Sequence, residues 1–169
     1  MKARDINLNN CVMSVVAPPP SLPLSYEDGE ARPPQGKPAL TIGIVLLDQF
    51  TLGAFAGFVD ALRLAADEGD RSRPLLARWD VLDATDGPVV SSCGATVTPN
   101  APLDSPEAYD YVIVVGGLLH GGQRVPARLT AFLQEAAAAG VKLGGLCTGS
   151  FVLARAGLLD GHLACVSWF

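Results

Sequence analysis

Closely spaced cysteines are missing from this sequence, which argues against metal sites and disulfide frameworks. The four cysteines of the chain, none in a Cys-x-x-Cys pair, are Cys11, Cys93, Cys147 and Cys165. Structural zinc sites and disulfide-rich domains are recognised by short cysteine spacings. No Gly-x-Gly-x-x-Gly turn follows a strand-like segment, so a dinucleotide cofactor is not expected either. We predict reduced thiols, no metal and no cofactor.

The chain also lacks clustered positive charge and long apolar runs. Its 17 acidic side chains outnumber 12 basic ones, which gives a formal charge of −5, and no group of lysines and arginines forms a phosphate footprint. No uncharged apolar run reaches about 18 residues, the length that suggests a membrane span, and the N-terminal apolar segment is too short for a secretory signal. The sequence predicts a cytoplasmic protein with no membrane contact and no direct nucleic-acid contact.

Composition changes near residue 39. The segment from Pro18 to Pro38, PPPSLPLSYEDGEARPPQGKP, is dense in proline, glycine and charge. Such a segment buries too little apolar surface to offset the loss of chain entropy. We predict a disordered tail over residues 1–38 and a single globular domain over residues 39–169.

Within residues 39–169, two hydrophobic periods alternate. The apolar runs at Leu40–Leu47 and Tyr111–Val115 are typical of buried parallel strands. Arg78–Ala84 and Val141–Leu146 are two further strand candidates. Apolar residues at steps of three or four predict a first helix from Leu52 to Ala66. A second helix is predicted after Pro126, and a short hairpin over residues 89–97. Strands that alternate with helices indicate an α/β fold with a doubly wound, mainly parallel, flavodoxin-like sheet.

One cysteine stands at a junction between strand and helix. The sequence GGLCTGSFVLARAGLLDG covers Gly144–Gly161 and places Cys147 in a Gly-x-Cys-x-Gly arrangement. This is the thiol counterpart of a nucleophile elbow, in which a tight turn projects a reactive side chain. Gly116 and Gly117 follow another strand, and the carboxyl ends of parallel strands line the ligand crevice of such sheets. We therefore expect Cys147 to project into that crevice beside the two glycines.

Three segments carry a family resemblance: the elbow sequence, the preceding YVIVVGG, and the first unit IGIVLLDQFTLGAFAGFVDALRLAA. They resemble the ThiJ/PfpI, or class I glutamine amidotransferase-like, superfamily. More narrowly, they are similar to the sensor domain at the front of AraC-family transcriptional regulators of the GlxA-like group. The resemblance implies a dimeric, ligand-binding sensor of a small metabolite, which reaches DNA only through a helix-turn-helix domain absent from this chain. It also implies that the α/β domain lacks its C-terminal elements, since the sequence stops at Phe169.

Two positions depart from the enzymes of this superfamily. Its hydrolases resemble one another in placing histidine after the elbow cysteine, where this chain has Thr148. Its redox and deglycase-type members place glutamate on the first helix, at a position that corresponds to about Ala54 here. Neither residue can transfer a proton from the thiol as those groups do. The resemblance therefore favours a sensor that binds its ligand without catalysis.

The predicted crevice residues come from two loops and the elbow. The candidate ligand-binding residues are Gln49, Phe50, Gly116, Gly117, Leu118, His120, Cys147 and Thr148. A rim with apolar side chains beside backbone donors fits a small amphiphilic metabolite. The alternative hypothesis is a cysteine-dependent enzyme, a hydrolase, hydratase or glyoxalase acting on a small carbonyl or amide, with Cys147 as its catalytic residue. The third hypothesis is a truncated remnant with no ligand function, in which Cys147 is a small buried thiol that packs at a tight turn.

Overall fold

The computed structural model of the protein describes residues 38–67, 76–118 and 125–164. The predicted tail falls almost entirely outside these ranges. The strands are β1 (Leu40–Leu46), β2 (Ala77–Asp83), β3 (Val89–Val90), β4 (Thr96–Val97), β5 (Ala101–Pro102), β6 (Tyr111–Val115) and β7 (Lys142–Leu146). The helices are α1 (Leu52–Ala66), α2 (Ala127–Ala138) and α3 (Gly149–Arg155), and a 3₁₀ turn covers Pro106–Ala108. The predicted strands and helices are confirmed to within about a residue at most ends, the spread expected between definitions of an element.

The central sheet is parallel, with the strand order β5-β2-β1-β6-β7. Strands β3 and β4 form a separate antiparallel hairpin, as the turn chemistry after β2 predicts. Because β1 lies at the centre of this order, the chain moves first to one side of it and then to the other. The reversal creates a crevice beyond the carboxyl end of β1, between the loops that follow β1 and β6.

Alternate side chains of each strand serve opposite faces of the sheet. Ile42, Ile44 and Leu46 of β1 pack with Ile113 and Val115, and α1 covers this face. The α1 side chains that pack against it are half-buried, namely Leu52, Phe55, Phe58, Val59 and Leu62. The β1 side chains on this face are two residues apart, as expected of a strand, and the α1 side chains that cover them form one apolar stripe along the helix.

The opposite face carries the more deeply buried core. Val45 and Val112 pack there against α2 and α3. The helix side chains in this layer are buried at 0–4% exposure, and they are Leu129, Phe132, Leu133, Val152 and Leu153. Helices on both faces confirm the doubly wound fold. They also fix α1 and α3 on opposite sides of the sheet, with their first turns meeting at the crevice.

The part of the chain that the structure describes contains no helix long and apolar enough to cross a membrane.

Candidate functional site

The crevice at the carboxyl edge of the sheet is formed by three loops. These loops are Leu47–Thr51 after β1, Gly116–Leu118 after β6, and Cys147–Thr148 after β7. Backbone hydrogen bonds join them: the Thr51 amide donates to the Gly116 carbonyl at 2.9 Å, and the Leu118 amide donates to the Gln49 carbonyl at 3.3 Å. The structure thus brings together the segments that the sequence predicted to meet.

Cys147 occupies the elbow in a left-handed backbone conformation, with φ of 52°. That conformation is costly for any residue with a Cβ, and such residues concentrate at functional sites. The turn is possible because Gly149 lies against β6, where a Cβ would overlap the carbonyl oxygen of Val114. The Ser150 hydroxyl donates to the Cys147 carbonyl at 3.3 Å, and the thiol is exposed.

Thr148, the residue after the elbow cysteine, has a supporting role. Its side chain is buried at 4% exposure, and its hydroxyl donates to the Gly117 carbonyl at 2.9 Å. A ligand in the crevice therefore meets the thiol of Cys147 before it meets Thr148. The hydrogen bond ties the elbow to the loop after β6, so that both loops move as one.

Replacing Thr148 by valine tests this tie, since valine keeps the shape and removes the hydroxyl. The Gly117 carbonyl would lose its buried donor, and we expect the free energy of unfolding to fall by about 1–3 kcal/mol. Urea denaturation followed by circular dichroism measures the change. Thr148→Ser, which retains a hydroxyl, is the control, and an unchanged midpoint in Thr148→Val would contradict the assignment.

Gln49 and Leu118, two of the candidate ligand-binding residues, lie in the loops that bound the crevice. Gln49 is half-buried and adopts a φ of 59°, a second left-handed residue at the crevice. Leu118 is 53% exposed, and Val90 is 38% exposed. The Val90 carbonyl accepts from the Gln49 amide at 2.8 Å. The rim therefore carries exposed apolar side chains beside the backbone of Gln49.

Phe50 differs from the prediction that its side chain lines the crevice. Its ring is fully buried and packs edge-on against Phe55, with 5.8 Å between ring centroids and an interplanar angle of 85°. Its backbone bridges both Ser91 and Gly117. Phe50 follows a strand end, where sequence periodicity no longer indicates which way a side chain points. The residue supports the crevice from the core.

Thr51 is the crevice residue that the sequence analysis missed. Its hydroxyl donates to the Cys147 sulfur at 3.3 Å, across 96 positions of sequence. A threonine before a helix is ordinarily explained as a cap, so the sequence carried no signal for this contact. Knowledge of the strand order would have been needed to place residue 51 beside the elbow.

The β3–β4 hairpin forms a further wall beside Phe50 and carries Cys93. The amide of Ser92 donates to the Phe50 carbonyl at 3.0 Å. Cys93 is exposed in the turn. The hydrogen bond with the Ser91 hydroxyl, followed by a backbone hydrogen bond involving Ala95, lowers the pKa of the Cys93 thiol. Because both thiols are exposed, alkylating reagents will reach Cys93 as well as Cys147.

The other candidate ligand-binding residues are two glycines and a histidine. Gly116 and Gly117 are buried and contribute close backbone approach, whereas His120 lies outside the described residues. In the described ranges, no group of three or more His, Cys, Asp or Glu side chains is placed to hold a metal ion.

Fold and elbow together define a class: a flavodoxin-like α/β protein with a cysteine on the turn after its last described strand. The chain matches the DJ-1/PfpI family over residues 59–168. It belongs to that family.

Its relatives include transcriptional regulators. The chain is 44% identical over 137 residues to the HTH-type transcriptional regulator GbdR of Pseudomonas aeruginosa, a match that covers 80% of this chain and 36% of that protein. It is 40% identical over 124 residues to the HTH-type transcriptional regulator CdhR of the same organism, covering 73% of this chain and 35% of that protein. The chain thus corresponds to little more than a third of the length of these regulators.

Among solved structures, the chain is similar to the crystal structure of an AraC family transcriptional regulator from Pseudomonas putida. The TM-score is 0.59 at 27% sequence identity, and the match covers 75% of this chain and 66% of that chain. Similarity in sequence and similarity in fold therefore lead to the same class of protein, regulators that carry a DJ-1/PfpI domain.

Proposed function

We propose that this chain is the ligand-sensing and dimerisation domain of an AraC-family transcriptional regulator, and that it binds a small metabolite at Cys147 without catalysis. The observation that carries the proposal is the chemistry around the exposed sulfur. The side-chain partner of Cys147 is the hydroxyl of Thr51, and the next residue, Thr148, uses its own hydroxyl to hold Gly117.

These neighbours of Cys147 can contact a ligand, but they cannot accept a proton and return it during a reaction. Hydrolysis through a thiol needs a group that removes a proton and later delivers one to the leaving group, usually histidine or a carboxylate. Thr148 and Ala54 stand where the enzymes of this family resemble one another in placing such groups. A threonine hydroxyl donates a hydrogen bond readily, but it does not give up its proton at neutral pH. The crevice therefore suits recognition better than turnover.

The rim indicates the kind of ligand. Leu118 and Val90 offer exposed apolar surface, and each is hydrogen-bonded to the backbone of Gln49. Cys147 and Thr51 provide polar groups at the floor. Ligand sites commonly combine apolar walls with a few fixed polar groups that set orientation. A small amphiphilic metabolite fits this combination.

In the full-length regulator, a separate helix-turn-helix domain would contact DNA and two copies of this domain would pair. A ligand changes the activity of such a protein only if it binds one arrangement of the pair more tightly than the other. The hydrogen bonds between the loops could transmit such a preference. A ligand that shifts the elbow would also shift the loop that contains Gly117 and the β3–β4 hairpin bonded to Phe50.

Thermal unfolding with a panel of small polar and amphiphilic metabolites tests the proposal. A ligand at 100 times its Kd stabilises the folded protein by about 2.7 kcal/mol, roughly 5–10 °C in Tm for a chain of this size. We expect at least one compound to produce such a shift, and Cys147→Ser to reduce it. Cys93→Ser, which changes the other exposed thiol of the described residues, is the matched control and should leave the shift intact.

Two outcomes would contradict the proposal. Turnover of small aldehydes or amides that is lost in Cys147→Ser would establish the enzyme alternative. A metabolite shift that Cys147→Ser leaves unchanged would move the ligand site away from the elbow.

A further inference from the structure

We propose that Thr51 is a positioning residue for Cys147: its hydroxyl donates to the sulfur and fixes the direction in which the thiol projects. The contact lies in the crevice described above. The inference rests on the proposed function in one respect only, namely that the thiol of Cys147 contacts a ligand. The contact itself stands on the Oγ1–Sγ distance of 3.3 Å, with Thr51 as the donor.

The first argument comes from the start of α1. Thr51 is the N-cap residue, with φ of −78° and ψ of 105°, the extended conformation in which a threonine hydroxyl normally accepts from an amide of the first helical turn. Here the Thr51 side chain makes no capping hydrogen bond within the described structure. The helix gives up a common stabilising contact, and the hydroxyl is directed to the sulfur instead.

The second argument comes from the elbow. Cys147 adopts a left-handed backbone conformation that disfavours side chains, and this conformation directs the thiol across the crevice to α1. The start of α1 without a side-chain cap and the left-handed backbone of Cys147 are each locally unfavourable. The hydrogen bond between Thr51 and Cys147 joins these two features. Local features that conflict with local preference are expected where a site requires them.

The third argument is the backbone that holds Thr51. Its amide donates to the Gly116 carbonyl at 2.9 Å, and its own carbonyl accepts from the Ala54 and Phe55 amides at 3.1 and 3.2 Å. The residue is fixed on both sides, so its hydroxyl has a defined direction.

Alkylation of Cys147 by iodoacetamide tests this role. In a Cys11→Ser, Cys93→Ser, Cys165→Ser background, Cys147 is the single thiol of the full chain. We expect Thr51→Val to slow alkylation at pH 7 by about three- to tenfold, because the sulfur loses the hydrogen bond that holds it in one direction. Thr51→Ser, which keeps the hydroxyl, should react within about twofold of the parent.

Thr130→Val on α2 is the matched control for a threonine-to-valine change away from the elbow. Thr51→Ala also removes the hydroxyl, but it does not introduce the second methyl group of valine. It therefore repeats the comparison with the parent if valine disturbs the loop. Equal rates in the parent and in a folded Thr51→Val or Thr51→Ala variant overturn the proposal. So does a Thr51→Ser variant as slow as valine, because the hydroxyl would then not be the cause.

This result is independent of the metabolite panel. If no metabolite raises Tm but Thr51→Val slows alkylation, the sensor proposal fails and the positioning role stands. If metabolites bind through Cys147 and the alkylation rates are equal, the sensor proposal stands and the role of Thr51 is wrong.

Discussion

A Gly117→Ala variant is expected to lose much of its stability. Gly117 lies so close to the loop after β1 that a Cβ would overlap the carbonyl oxygen of Gln49 and crowd the Phe50 backbone. Both obstacles are main-chain atoms, which cannot move aside as a flexible side chain would. The loops must separate, which breaks the Leu118–Gln49 hydrogen bond, and we expect a loss of about 3 kcal/mol in the free energy of unfolding.

Gly57→Ala is the control for this change. Gly57 is inside α1, and the space around it would accept a Cβ with nothing closer than 4 Å. Alanine is the better helix former, so this variant should gain up to about 1 kcal/mol. Chemical denaturation of both variants measures the difference. If the two alanines gave the same midpoint, the close approach at Gly117 would be wrong.

Phe50→Ala is expected to have an effect of at least equal size. Phe50 is among the largest fully buried side chains of the described residues, and its ring packs on Phe55 under the crevice floor. Removal of a fully buried phenylalanine ring costs about 3–5 kcal/mol. The cavity lies directly beneath the rim, so we also expect the metabolite-induced shift in Tm to disappear in any fraction that still folds.

Phe58→Ala provides the comparison for Phe50. Phe58 belongs to the same apolar face but is only half-buried on α1, so its removal should cost less than half as much and should leave ligand binding intact. A Phe50→Ala variant with near-parental stability would mean that the ring faces solvent and the ligand, as the sequence analysis first assumed.

Much of the fold could be predicted because its signals are local and repeated. The buried runs at Leu40–Leu46 and Tyr111–Val115 have the continuous apolar character of strands covered on both faces. The apolar residues of α2 recur at helical spacing, and the four buried ones are Leu129, Phe132, Leu133 and Ala136. Gly140, which follows α2, has the positive φ of 80° typical of a helix terminator.

The site was predicted less completely because its contacts are not local. Cys147, Gly116 and Gly117 were found from glycine spacing at strand ends, which the sequence displays. The directions of Phe50 and Thr51 were not available, since neither lies in a periodic segment and each is fixed by a strand distant in sequence. Phe50 points into the core because its backbone is held between Ser91 and Gly117. Thr51 reaches the elbow because α1 begins directly beside it.

The residues of the site are far apart in sequence, and this separation determines when the site forms during synthesis. The Thr51–Cys147 contact spans 96 residues, and the Thr148–Gly117 bond spans 31. Contacts between distant residues form late, because the chain must first lose the entropy of a long closed loop. A nascent chain on the ribosome has β1, α1 and β6 available well before β7 and the elbow emerge. During synthesis the crevice therefore stays incomplete until the elbow docks against the loops that follow β1 and β6.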